Sequence, residues 1–544
     1  MSVVRKTESV AERPFPRIVP RQLASSGNLA GDALAGVPAA TRLFEAPPGR
    51  LPDAAAVEAR AGGGSALPAE AFTTTSTGAA ERLSRILAGE GVVVTTGQQP
   101  GLFLGPLYTL YKALTAVRLA GEIERRTGRP ALAVFWVASD DHDWDEVATC
   151  RIVDSEEELV AMRVDPPPGW ALRSVGQAPV PSSVMDLLRR FGDEAGGAVA
   201  GSTPRWMGAL REAYEPGRSF GDAFVRALGA AVEGLDLAIL DSAHPAVRTQ
   251  AAGLYRRVVE APEALAQAMR DGLHSVREAG YEPALTPPPE GLQMFHDDGE
   301  ARRHVLRTDE DELAAGDWRP DRAALLRRLD RAPDEFTPAA ALRPVLESRL
   351  LPVAATVLGP GEIAYWAQLP PVFAALEVPM PAILPRDAWV LVEPRVDRLL
   401  EKLDLDVTTV EREGKGIDDR WIARSRPPGV RDGLAALERN LAAGFERLAS
   451  VVDRELPGLK SAAGKAAHRA TRALEELGRT VDARVRERES IALAQAARIR
   501  AHLVPDGRPQ ERTVAAAQFL SRHGRALVHD LFEAGRVAGP EEQD

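Results

Sequence analysis

The stretch FWVASDDHDWDEV, residues 135–147, runs an apolar segment straight into Asp140, Asp141, His142, Asp143, Asp145 and Glu146, with Trp144 among them. Acids packed this densely around one imidazole have three chemical uses. Together they bind a divalent cation; one of them serves as general base; or a carboxylate anchors a substrate ammonium group. Asp141, His142 and Asp143 are the candidates for proton and amine chemistry. The bland alternative is a solvated acidic loop whose aspartates cap the next helix. Under strand alternation Asp141 and Asp143 share a face with His142 opposite, whereas a turn lets other subsets converge.

A second stretch, TTGQQPGLFLGPLYTLYK (residues 95–112), holds neutral hydrogen-bonding groups in Thr96, Gln98 and Gln99. Gly97 and Gly105 let backbone amides approach a ligand, and the helix that follows, bearing Tyr108 and Lys112, favours an anion at its N-terminus. The pattern is neither G-x-G-x-x-G nor the P-loop. A third, GPGEIAYWAQL, offers Gly361, Glu362, Tyr365 and Trp366. Glu362 would complement the dipole of the helix it opens. Lys112, Arg343, Arg386 and Arg395 are candidate ligands for phosphate or carboxylate. His244 precedes a proline and suits a helix cap; His296, in a hairpin, is expected at the surface. No G-x-S-x-G, CxxC or HExxH occurs, and nothing near Cys150 activates it.

These residues need elements to hold them. GVVVTTGQQPG is short, β-branched and bounded by glycine, as a buried strand is. Leu107, Leu110, Tyr111, Leu114, Val117 and Leu119 then repeat at helical spacing, and ALAVFWVAS is the next buried strand. Strand, helix, strand in that order is a βαβ unit with a parallel pair. Ligands gather at the carboxyl ends of such strands, so TTGQQPG and SDDHDWDEV fall on one edge. LDLAILD, VAATVLG and PAILPR read as further strands, and LQMFHDDGEARRHVL as a hairpin turning at DDG. The fold class expected is α/β, a parallel-sheet core with inserted connecting segments, followed by a helical region. Residues 1–75 read as an irregular arm; 76–395 as the core, with insertions near 151–233 and 280–308; 396–544 as a helical coiled-coil region and a closing helix. In that region Leu434, Leu437, Leu441, Phe445, Leu448 and Val452, then Leu474, Leu477, Val481 and Val485, alternate three- and four-residue steps, as core-facing helices or a dimer seam do.

The 544 residues suffice for several domains, and 45% apolar with 27% charged is globular composition. A net charge of −11 gives no general attraction to nucleic acid or anionic membranes. One cysteine rules out an internal disulfide, and no stretch approaches a membrane span or an apolar signal region, so a cytoplasmic protein is expected.

Residues 95–112, 134–147, DSAHPAVR at 241–248 and LRPVLESRLLPVAATVLGPGEIAYWAQL at 342–369 together resemble the bacillithiol-biosynthesis cysteine-adding enzymes, the cysteine ligases of that pathway. The resemblance runs from about residue 90 to 395, and the helical tail is similar to that family's coiled coil. It implies a Rossmann-like core related to cysteinyl-tRNA synthetases, a coiled coil that mediates homodimers, and addition of cysteine to the amine of glucosaminyl-malate. It implies ATP for carboxylate activation, with Mg²⁺ as its companion; Thr96, Gly97, Gln98, Gln99, Gly105, Tyr108, Lys112, Gly361, Glu362, Tyr365, Trp366 and Arg386 would hold substrate or nucleotide. The chain departs from the family pattern at Asp140, Trp144 and Tyr111, where Glu, Phe and His are usual. The His-x-Gly-His motif of related nucleotide-activating ligases is absent: Gly105-Pro106-Leu107-Tyr108 stands there. Two other readings compete: a metal-dependent hydrolase built on the Asp-Asp-His-Asp cluster, and a non-catalytic dimeric scaffold.

Overall fold

The computed structural model describes residues 15–535 apart from 64, 196–202, 287, 289–290, 309–311 and 457–458. The first fourteen residues of the expected arm thus lie outside the described residues. The chain forms two compact units, one of residues 18–390 with 510–535 and one of residues 391–509 with the stretch up to Arg17.

The first unit is built on a six-stranded sheet. Its strands are β1 (Phe72–Thr74), β2 (Val92–Gln98), β3 (Ala131–Val137), β4 (Leu237–Asp241), β5 (Val353–Leu358) and β6 (Ala382–Pro385). They lie in the order β6-β5-β2-β3-β4-β1, all parallel except β1, which runs antiparallel to β4. β3 is buried along its whole length and β2 through Thr96, so neither alternates polar and apolar residues. Helices cover such a sheet on both faces. Helix α1 (Tyr108–Thr127) crosses from β2 to β3 and ends at Gly128, whose left-handed φ of 71° closes it.

Residues 29–61, within the expected arm, carry three short helices, and Leu29, Ala33, Leu43 and Phe44 are buried in the main core. The inserted segment holds an antiparallel pair, Thr149–Val153 with Leu159–Arg163, and three helices between residues 184 and 231. The hairpin Gly291–Asp297/Arg302–Arg307 forms as expected within a four-stranded antiparallel sheet. His296 on it is not at the surface, however: it is 7% exposed, lies between Trp318 and Phe336, and pairs through Nε2 with Glu335 at 3.1 Å. The strand's partner Phe336–Pro338 and Trp318 cover it, and a hairpin motif does not show what folds over it.

Two short helices frame the carboxyl edge of the sheet: α2 (Trp144–Val147) after β3, and α4 (Pro360–Trp366) after β5. Between them in sequence, α3 (Arg343–Leu350) leads into β5. From Pro394 onward the second unit is a succession of helices, dominated by α5 (Pro428–Glu455) and α6 (Lys460–Arg488), which pack on each other. The closing helix α7 (Ala516–Ala534) belongs to the first unit and packs on α1.

Candidate active site

The chain leaves β2 through α1 toward β3 on one side, and leaves β5 through α4 toward β6 on the other. The neighbouring pair β2 and β5 is therefore the switch point of the sheet, where a cleft opens at the carboxyl ends. A cavity of about 320 Å³ lies there, within the range of small-ligand sites. The sheet edge supplies Thr96, Gly97, Gln98 and Gln99; α1 supplies Tyr108 and Lys112; α4 supplies Gly361, Glu362, Tyr365 and Trp366; Arg386 follows β6. A larger hollow of about 680 Å³ near β1 has Arg205 and Arg525 already paired with Glu233 and receives nothing from the carboxyl ends of the parallel strands.

Lys112 is buried, and its three ammonium donors are all engaged: Glu362 Oε2 at 2.7 Å, the Gly97 carbonyl at 2.8 Å and Gln98 Oε1 at 3.1 Å. Burial lowers its pKa and the Glu362 carboxylate opposes the fall. Glu362 also accepts the Gly359 N–H at 2.8 Å, so one carboxylate caps α4 and neutralises the lysine. Tyr108 presents its ring to three cations, with Arg386, Lys112 and Arg512 5.5, 5.9 and 6.0 Å from its centroid. Burial first, and the Glu146 carboxylate next, push its hydroxyl up to about 12.

Arg386 reaches the cavity, yet its guanidinium is held by Glu511, with Nη1 and Nη2 at 2.8 and 2.7 Å from the two carboxylate oxygens. Gly97 is required by its neighbour: a Cβ there would meet the Trp136 carbonyl on β3 at 2.8 Å. Gly105 does not line the cavity. It has a φ of 63° and its carbonyl accepts the Ala516 N–H, fixing the loop before α1 against α7.

The acidic cluster turns rather than alternates. Asp140 is fully buried and accepts the Ser242 hydroxyl at 2.7 Å. Asp141 lies behind the cavity-lining Gln99, whose Nε2 donates to it at 2.7 Å, and Arg343 and Arg302 approach it at 3.6 and 3.8 Å. Burial raises both carboxyls, but Arg343 and then Arg302 override it and leave each below the ordinary aspartate value. His142 Nδ1 lies 2.9 Å from Arg302 Nη1; a guanidinium only donates, so this nitrogen accepts and the ring is neutral. Burial, then the Arg302 cation, lower its pKa accordingly. Asp143 is exposed and caps α2, accepting the Glu146 N–H at 3.1 Å. None of the three candidates Asp141, His142 and Asp143 lines the cavity.

The cavity also holds Glu146, Arg343, Glu347 and Arg512. Arg343 and Glu347 are one helical turn apart, and LRPVLESR directly before a buried strand carried that signal. Arg512 had none, since its place follows from the docking of the segment before α7. Cys150 is buried away from the cavity, and burial pushes its thiol up to about 12, which makes it inert.

Comparison with known proteins agrees with this architecture. Residues 69–387 match the family model described as "Bacillithiol biosynthesis BshC, N-terminal Rossmann-like domain", and residues 389–539 match "Bacillithiol biosynthesis BshC, C-terminal coiled-coil domain". Curated relatives named "Putative cysteine ligase BshC" include one from Salinibacter ruber, 31% identical over 82% of this chain and 81% of the relative. Others are those of Heliobacterium modesticaldum, 31% identical over 84% and 83%, and Koribacter versatilis, 31% identical over 83% of each.

Proposed function

The chain belongs to the BshC family of bacillithiol biosynthesis, and from that premise we propose that it is the cysteine ligase joining L-cysteine to the amine of glucosaminyl-malate. The observation that carries this reading is the gathering, in one cavity at the switch point, of the cations Lys112, Arg343, Arg386 and Arg512 with the carboxylates Glu146, Glu347 and Glu362. Amide formation needs both. Cations stabilise the negative charge that develops on an activated carboxyl and its leaving group, while carboxylates anchor the ammonium and take its proton.

ATP would supply the activation. The residues fit its phosphates: the exposed Arg512 stands over the Tyr108 ring in the cavity, and a Cβ on Gly361 would meet nothing within 4 Å, so the cavity is open at that backbone. Among the described residues no three His, Cys, Asp or Glu side chains are grouped to hold a metal ion. Mg²⁺ fits as a companion of phosphates, with Glu146 the carboxylate nearest the mouth. The rival hydrolase reading needs Asp140, Asp141, His142 and Asp143 to converge, and each is engaged otherwise: two with arginines, one with Arg302, one as a cap.

Incubating the protein with cysteine and glucosaminyl-malate, with and without ATP and Mg²⁺, tests the reading by mass spectrometry. Bacillithiol formed only with ATP is the expected result. Product without ATP would keep the ligase and discard nucleotide activation; no product from folded protein would remove both.

We also place the coiled coil at a homodimer interface. In α5 and α6 only part of each stripe is used within the hairpin: Leu437, Leu448 and Leu477 remain 45%, 50% and 51% exposed, while Val485 is buried. A repeated apolar face of this kind is satisfied by a second helix pair. The double variant Leu437→Asp/Leu448→Asp should run as a monomer in light scattering where the wild type runs as a dimer. A monomeric wild type would refute the assignment. Among the described residues no helix is long and apolar enough to cross a membrane, and a lone reduced cysteine suits the cytoplasm.

A further inference from the structure

Every acid in or beside the cavity is committed except at two places. Glu362 is spent on Lys112 and the α4 cap, and Asp141 on Gln99 and the arginines. Glu146 sits at the exposed mouth beside α2. Glu347 lies deeper, half-buried on α3, one turn beyond Arg343 on the same cavity-facing side. Among the described residues no arginine, lysine or histidine stands within ion-pairing distance of it, because Arg343 turns to Asp141 and Lys112 to Glu362.

Resting on the ligase reading above, we propose that Glu347 is the catalytic base of the amide-forming step, accepting the proton that the attacking amine nitrogen sheds. The substrate ammonium loses one proton to solvent before attack. The nitrogen lone pair then forms the C–N bond to the activated cysteinyl carbonyl, and the leaving group departs with the bonding electrons. The second nitrogen proton passes to the Glu347 carboxylate, which becomes a neutral acid and later returns the proton to water.

The surroundings suit that cycle. Burial pushes the Glu347 carboxyl up to about 7; the Thr95 hydroxyl on β2, Arg343 on its own helix and Lys112 on α1 oppose the rise, while Glu362 on α4 adds to it. Tyr365, the other titratable group facing it from α4, is neutral at this pH, burial having raised its hydroxyl. A base is most effective when its pKa lies near the working pH. Asp141, held below the ordinary value by arginines, gains little from taking a proton, and the neutral His142 is outside the cavity.

The test compares Glu347→Gln with wild type on two acceptors. With glucosaminyl-malate the variant should lose roughly 10²–10⁴-fold in rate, and the wild-type acid limb near pH 7 should vanish from its pH profile. With hydroxylamine, uncharged at neutral pH and so weakly basic that its nitrogen gives up its proton to water once the C–N bond forms, both proteins should form cysteine hydroxamate at similar rates, because activation is intact and solvent replaces the base. Glu347→Asp should recover part of the amide rate. An unchanged rate and profile in Glu347→Gln, or a loss confined to Glu146→Gln, would overturn the assignment. So would an equal loss on both acceptors, which marks a structural or activating role. A wild type that forms neither product would overturn the ligase reading and this base with it.

Discussion

Replacing Glu511 by Ala is expected to destabilise the α/β unit by about 3–5 kcal/mol, the cost of removing one partner from a buried ion pair. Its carboxylate, 1% exposed, receives both terminal nitrogens of Arg386, itself 2% exposed, and Arg21 Nη1 at 2.9 Å. Without it the Arg386 guanidinium, 2% exposed, stays buried with no counter-charge. The double replacement Arg386→Met/Glu511→Leu should recover most of the loss, since two well-packed apolar groups replace a buried pair at little net cost. It should not recover activity, because Arg386 also lines the cavity. Urea midpoints of the two single variants and the double variant give the coupling directly. A Glu511→Ala midpoint within error of wild type would show that the segment carrying Glu511 is not anchored by this pair.

Asp140→Asn should cost a similar amount, about 3–5 kcal/mol at pH 7, for a different reason. Asp140 is the 1%-exposed anion beneath Arg302 and Arg248, themselves buried, with Arg302 Nη2 4.0 Å from it. Burial lowers the Arg302 pKa to about 10 and Asp140 opposes the fall, so the amide would leave the cations less compensated. The sign of the pH dependence follows from the depressed carboxyl. Asp140 contributes its full stability above the unfolded aspartate pKa, about 3.9, and that contribution is lost as pH falls through the lower folded value. The gap between wild type and Asp140→Asn should therefore be widest at neutral pH and narrow steadily below pH ~4. A gap that stays constant from pH 7 to pH 3 would mean that the Ser242 hydrogen bond, and not the charge, is what the variant removes.

The two predictions concern charges whose partners lie far off in the chain, and they mark where sequence reading stopped. Local pattern was enough for the strands: Val92–Gln98 and Ala131–Val137 are the β-branched and aromatic runs that only burial on both faces explains. Helical periodicity placed α1, and α/β alternation put the ends of β2 and β3 on one edge. The resemblance of residues 342–369 added the third wall, and α4 carries it. For these elements the information is periodic and short-range, so one sequence suffices.

What each polar group does there depends on its partner, and partners are set by packing. Nothing near SDDHDW shows that Asp140 and Asp141 meet arginines from positions 302 and 343, which keeps them charged, or that His142 accepts from the same Arg302. Arg386 reads as a free anion ligand until the segment at 511, 125 residues further along the chain, closes on it. Glu347 is unremarkable in sequence, and only the commitment of its neighbours elsewhere leaves it a half-buried carboxylate without an ion pair among the described residues. The sequence by itself determined the sheet, its switch point and the edge where ligands gather, because those follow from periodicity and chain order. The tertiary structure alone decided which carboxylates are held as anions and which is left to exchange a proton, because a pKa is set by burial and by the nearest charges in space, whatever their distance along the chain.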